Sequence, residues 1–148
     1  MPSERDWLVL YDAECGICRA LLAALLSWDR RNRLRPLALQ DAEAAALLAD
    51  LTPEERMSSW HLVSPLGLTR SGSPSMPSSA DQRWSAGAAV PPLLQLLPGG
   101  RAPAAIFARF PGTTERGYRW VAAHRSALSQ LLPERLKRRG DYLRSNPP

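Results

Sequence analysis

Five apolar and aromatic residues, Trp7-Leu8-Val9-Leu10-Tyr11, run uncharged until Asp12-Ala13-Glu14 interrupts them, and a cysteine pair, Cys15-Gly16-Ile17-Cys18, opens the next segment. The run reads as a short buried strand. From Cys15 the spacing turns helical: Ile17, Leu21, Ala24, Leu25 and Trp28 fall at i, i+4, i+7, i+8 and i+11. No charge stands between Arg19 and Asp29, so this helix is expected to be covered around most of its circumference. Both thiols are thereby fixed at the end of a strand and the start of a helix. Few architectures accommodate that placement.

The rest of the chain continues the alternation. Leu34 to Leu39 carries Pro36 and reads as an edge strand, because proline cannot donate to a ladder. Asp41 is placed to cap a helix running through Leu51, and Thr52-Pro53-Glu54-Glu55 has the form of a second cap with proline at the first helical position. Trp60-His61-Leu62-Val63 is the third strand candidate. Residues 70–80 are rich in Ser, Pro and Gly without periodicity and are expected to form a mobile loop. Helices are expected over Ala86–Leu97, with Pro91-Pro92 near the start, and over Ala102–Phe110. A longer one, capped by Thr113 or Thr114, puts Tyr118, Val121, Ala122, Leu128 and Leu132 on one face. A basic tail runs on from Pro133. Strands alternating with helices, then helices alone, specify an α/β fold.

Composition bounds the function. The 148 residues are 45% hydrophobic and 22% charged, which suits one globular domain with a core of its own. The longest uncharged apolar stretch, Ala20–Leu26, is too short to cross a bilayer. Met-Pro-Ser-Glu-Arg-Asp-Trp at the start has no apolar signal-peptide region, so a cytoplasmic location is expected and no membrane partner. A net charge of +5 invites a nucleic-acid reading. Of the 19 basic residues, however, only Lys137 is a lysine, the mark of a GC-rich coding bias, and the excess is concentrated between Arg116 and Arg144.

The chemistry rests on the two cysteines. Positions i and i+3 of a helical turn bring β-carbons to about 5–6 Å, close enough for a small rearrangement to form a disulfide. At the helix start, unpaired N–H groups and the helix dipole favour a thiolate at Cys15, and the thiolate is the nucleophile. Cys18, one turn in beside Ile17, Leu21 and Leu25, is shielded, so Cys15 attacks and Cys18 resolves. Arg19 either adds positive potential or points at solvent. Asp12 and Glu14 oppose ionisation of Cys15. Asp12 is either a turn residue bonding its own backbone or a proton acceptor below the helix start. A zinc site needs four ligands, and only His61 and His124 are available beside the cysteines, without finger spacing. His61 reads as a satisfied strand residue and His124 as a surface one. No cofactor and no metal are expected.

Tyr11-Asp12-Ala13-Glu14-Cys15-Gly16-Ile17-Cys18 resembles the YDGxCxxC signature of the DCC family of thiol-disulfide oxidoreductases. Asp29-Arg30-Arg31 with Leu34-Arg35-Pro36-Leu37-Ala38-Leu39-Gln40, the stretch Trp84–Val90 and the stretch Tyr118–Ala122 are similar to later parts of that family. The resemblance implies a thioredoxin-like fold over the single domain 1–148. Its core would span about 7–132, as a small mixed sheet flanked by helices with extra C-terminal helices and a basic tail over 133–148. It also implies protein-disulfide reductase activity carried by Cys15, Cys18 and Asp12, with protein or small-molecule disulfides as substrates and cellular thiols as reductant. Two departures stand out: Ala13 replaces the family's glycine, and no proline precedes Trp60, where thioredoxins place one against the cysteines. The competing reading is a redox-inactive binding module whose basic C-terminal region contacts nucleic acid or an acidic protein. Salt separates the two, since phosphate-driven affinity falls steeply with it and disulfide exchange does not.

Overall fold

The computed structural model of the chain describes residues 7–64, 83–136, 138 and 139. Its strands are β1 (Trp7–Tyr11), β2 (Leu34–Ala38), β3 (His61–Val63) and β4 (Arg83–Ser85). They form one sheet in the order β2-β1-β3-β4, with β1 parallel to β2 and antiparallel to β3, and β3 antiparallel to β4. β1 is central and buried on both faces, which is why it reads as an unbroken apolar run. Leu8 and Leu10 pack on one side with Leu37, Ala44, Leu48 and Val63. Val9 and Tyr11 pack on the other with Leu22, Leu34, Leu62 and Leu93. β2 lies at the sheet edge, where Pro36 is tolerated as expected.

Helix α1 (Gly16–Trp28) links the two parallel strands. The turn after it is held by buried Asp29, whose Oδ2 accepts the backbone N–H of Arg33 and of Leu34, both at 2.7 Å. Asn32 takes φ 47° there, a left-handed geometry that asparagine tolerates well. Helix α2 (Ala42–Leu47) ends short of the expected Leu51, because Leu48 leaves helical geometry to bury itself completely under the sheet. Helix α3 (Pro53–Ser58) has the anticipated start: Thr52 Oγ1 accepts from Glu55 N–H, and Glu55 Oε2 from Thr52 N–H.

Strand β4 has no counterpart in the sequence pattern. Its three residues become a strand through pairing with β3, and Trp84 packs on Trp7 with ring centroids 5.6 Å apart. The helix expected over Ala86–Leu97 is a 3₁₀ turn (Ala86–Ala89) followed by α4 (Val90–Leu96). Pro91 and Pro92 have no N–H to bond back by four residues, so α geometry cannot extend before them. Beyond lie α5 (Arg101–Arg109), α6 (Pro111–Ala123) and α7 (Arg125–Leu131). Neither Thr113 nor Thr114 caps α6. The helix begins at Pro111, and Thr114 Oγ1 donates instead to the carbonyls of Phe107 and Phe110.

The architecture is the thioredoxin-like one, a four-stranded mixed sheet with α1 and α4 on one face and α2 on the other, extended by a C-terminal helical layer. Among the described residues no helix is long and apolar enough to cross a membrane. The loop expected over 70–80 lies outside the described residues, as does most of the basic tail.

Candidate functional site

β1 ends by delivering Asp12 into a turn that leads to the cysteines. Asp12 Oδ1 accepts the N–H of Glu14 at 2.9 Å, the local turn bond expected of an aspartate. The same oxygen accepts from Gln40 Nε2 at 2.9 Å, and Gln40 Oε1 accepts the N–H of Ala13 at 3.3 Å. Gln40, just past β2, thus clamps the motif from both sides. Positive φ among the described non-glycine residues occurs only at Asn32 and Ala86, so alanine at position 13 carries no backbone strain in place of glycine.

Cys15 is the residue from which α1 departs, with extended backbone, and Cys18 lies in the first turn. Both are reduced and half-buried. The Cys18 thiol and, to a lesser degree, its backbone N–H face the Cys15 sulfur and stabilise its ionised form. They outweigh partial burial and the Asp12 charge and, with help from the Arg125 guanidinium, bring the Cys15 pKa down to about 6. Cys18 moves the opposite way: donation to Cys15 and burial hold its proton well above the ordinary thiol range, against a favourable contact from the Trp60 side chain. One thiol is thereby held toward its thiolate form while its neighbour keeps its proton.

Arg125, on α7, is a cation that acts on Cys15 and lowers its pKa, a residue the cysteine motif alone does not point to. Arg19 Nη1 donates to the Ala13 carbonyl at 2.7 Å and braces the turn. Arg125 Nη1 stands 3.9 Å from Asp12 Oδ2. From the same helix, Ser129 Oγ accepts the Ile17 N–H at 3.0 Å, satisfying one of the open donors at the start of α1. On α6, the hydroxyl of Tyr118 accepts the Trp60 N–H at 2.8 Å and fixes the segment that carries Trp60 toward Cys18. Tyr118, Val121 and Ala122 share a face as expected, whereas the single helix expected to carry that face on to Leu128 and Leu132 is broken at His124 and ends at Leu131. Continuing that period by one turn to Arg125 and another to Ser129 is the signal by which sequence reasoning could have found both.

His61 is buried, with Nδ1 at 2.7 Å from Ser85 Oγ and Nε2 at 3.0 Å from the Arg56 carbonyl, a satisfied strand residue as expected. Burial holds its pKa below the ordinary value. His124 is exposed and stacks on Trp120 at 4.6 Å. Among the described residues no group of three or more His, Cys, Asp or Glu side chains could hold a metal ion.

A cleft of about 790 Å³ opens beside Cys18, between α1, α4, α5 and α6. Its walls include Ile17, Leu21 and Leu25, the stripe that periodicity alone would assign to the core. The fully buried residues of α1 are Ala20, Leu22 and Ala23, while of the stripe Leu25 packs partly against the core and Leu21 stays exposed.

The sequence profile of a family described as DCC1-like thiol-disulfide oxidoreductase matches residues 9–131. No curated protein and no solved structure matches the chain.

Proposed function

Because the chain belongs to the DCC1-like thiol-disulfide oxidoreductase family and carries its CxxC pair, we propose that it is a protein-disulfide reductase in which Cys15 attacks and Cys18 resolves. The observation that carries this reading is the asymmetry of the pair, with the Cys18 thiol and N–H turned toward the Cys15 sulfur at the start of α1. The Cys15 thiolate attacks one sulfur of a substrate disulfide. That bond breaks, its distal sulfur leaves as a thiolate and takes up a proton, and a mixed disulfide joins Cys15 to the substrate. Cys18 then loses its proton to Asp12, which lies in the same cleft wall, and its thiolate attacks the Cys15 sulfur. The second substrate thiol departs. Two electrons have passed from the dithiol to the substrate, leaving a Cys15–Cys18 disulfide that two equivalents of a cellular thiol return to the dithiol. We place this cycle in the cytoplasm.

Cys18→Ser tests it directly. With the resolving thiol gone and the nucleophile intact, the variant accumulates mixed disulfides with cellular proteins, which dithiothreitol releases. Cys15→Ser does not. Adducts from Cys15→Ser and none from Cys18→Ser would reverse the assignment, and none from either would remove the activity.

A further inference from the structure

The cleft beside Cys18 is apolar well beyond what packing requires. Leu21 is 47% exposed, Ile106 61% and Phe110 56%, and all three line it. Large apolar side chains left in water around an apolar hollow mark an interaction site. Its volume of about 790 Å³ falls within the range of ligand-binding clefts, roughly 300–1,000 Å³. Among the described residues only two charged side chains line it, Asp12 and Arg125, and their charged ends face one another at 3.9 Å. A charged disulfide entering there would shed hydration and find little to replace it.

The wall next to Cys18 adds a second constraint. It is formed by Ser58, Ser59 and Trp60, and Ser59 is fully extended at φ −153° and ψ 164°. Extended backbone presents its peptide groups sideways, as a strand does, and suits a partner with a main chain of its own. An acyl chain has no use for such groups.

We propose that this cleft is the specificity pocket of the exchange reaction and that it holds the large apolar side chains flanking a half-cystine in a polypeptide substrate. The proposal rests on the reductase reading above and names its substrate class. Folded proteins keep such side chains inside, so the substrates are disulfide-bonded chains in unfolded or partly folded states. The exchange itself is unchanged: the substrate disulfide accepts two electrons from the Cys15/Cys18 dithiol.

Two symmetric peptide disulfides of equal length, one flanked by Leu and Phe and the other by Ser and Glu, test this with dithiothreitol as reductant. The expected kcat/KM favours the apolar peptide by about tenfold or more. Ile106→Glu and, independently, Phe110→Glu change exposed positions of the wall and bring that ratio toward one. A labelled Leu/Phe peptide with serine in place of cysteine, titrated into the Cys15→Ser/Cys18→Ser chain, reads the cleft without the chemistry. If the unaltered chain reduces neither peptide, the reductase reading fails while this titration still judges the pocket. Equal rates for the two peptides, a preference that survives both glutamate variants, or absence of binding in the titration overturns the proposal. So does a dialkyl disulfide reduced faster than the apolar peptide, which assigns the cleft to an acyl chain. Self-association that competes with the labelled peptide gives the cleft to a second copy and overturns it equally.

Discussion

At the residue scale the chemistry turns on which proton leaves first. A thiol with a pKa of about 6 is roughly nine-tenths thiolate at pH 7, whereas an ordinary cysteine at about 8.5 is a few per cent. Alkylation of Cys15 by iodoacetamide should therefore titrate with a midpoint near pH 6, falling about tenfold per unit below it, while Cys18 is labelled slowly throughout. Two neighbours with opposite charges set the fine position. Arg125 favours the thiolate and Asp12 opposes it, so Arg125→Met should raise the midpoint and Asp12→Asn should lower it. Both effects should shrink as salt is added, because the site is half open to water. Mass spectrometry of the labelled chain across a pH series checks all three. A midpoint that both variants leave in place would mean that the Cys18 donors alone set it. Preferential labelling of Cys18 would exchange the roles of the two thiols.

At the scale of elements, the sequence is legible where a local cause is sufficient. Strand β1, the cysteine turn and α1 follow from a change in apolar period, the edge position of β2 from Pro36, and the start of α3 from the Thr52/Glu55 box. What stays hidden depends on partners far along the chain. Gln40 reaches back 28 residues to Asp12, Ser129 reaches 112 residues to Ile17, and β4 exists only because β3 offers it a ladder. The stripe of Ile17, Leu21 and Leu25 is apolar as its spacing indicates, yet it lines the cleft and of the three Leu25 alone packs partly against the core, because periodicity reports which side chains share a face and not whether that face is filled. Gly87 shows how close the C-terminal layer comes. A β-carbon there would sit 2.8 Å from the Glu115 Cα on α6, and the Gly87 N–H already donates to Glu115 Oε2 at 3.0 Å. Gly87→Ala should thus push α6 off the 3₁₀ turn and cost about 1–3 kcal/mol of stability. Gly112→Ala, in the same helix with nothing within 4 Å, should be neutral or stabilise by up to about 1 kcal/mol. Urea denaturation of the two variants compares them, and equal midpoints would refute the close approach.

For the whole molecule, folding and redox state are linked through the same two protons. The folded, reduced chain gives up the Cys15 proton at about pH 6, earlier than an unfolded chain does at about 8.5. This contribution to stability is complete above about pH 8.5 and is lost as pH falls toward 6. Cys18 has its folded pKa raised, so its contribution is complete below about pH 8.5 and is lost as pH rises beyond it. The stability of the reduced form, relative to the oxidised form that has neither thiol, should therefore climb between pH 6 and 8.5 and decline above. The same proton count fixes the reduction potential. Below pH 6 reduction of the disulfide takes up two protons with its two electrons, and the potential falls by about 59 mV per pH unit, twice the about 30 mV that one proton carries in a two-electron couple. Above pH 6 Cys15 is a thiolate, only Cys18 takes a proton, and the slope should halve to about 30 mV. Equilibration with a dithiothreitol series from pH 5 to 8 measures it. A single slope of about 59 mV across the range would mean that Cys15 holds its proton at neutral pH, and the pair would then lack the asymmetry that the reductase mechanism needs.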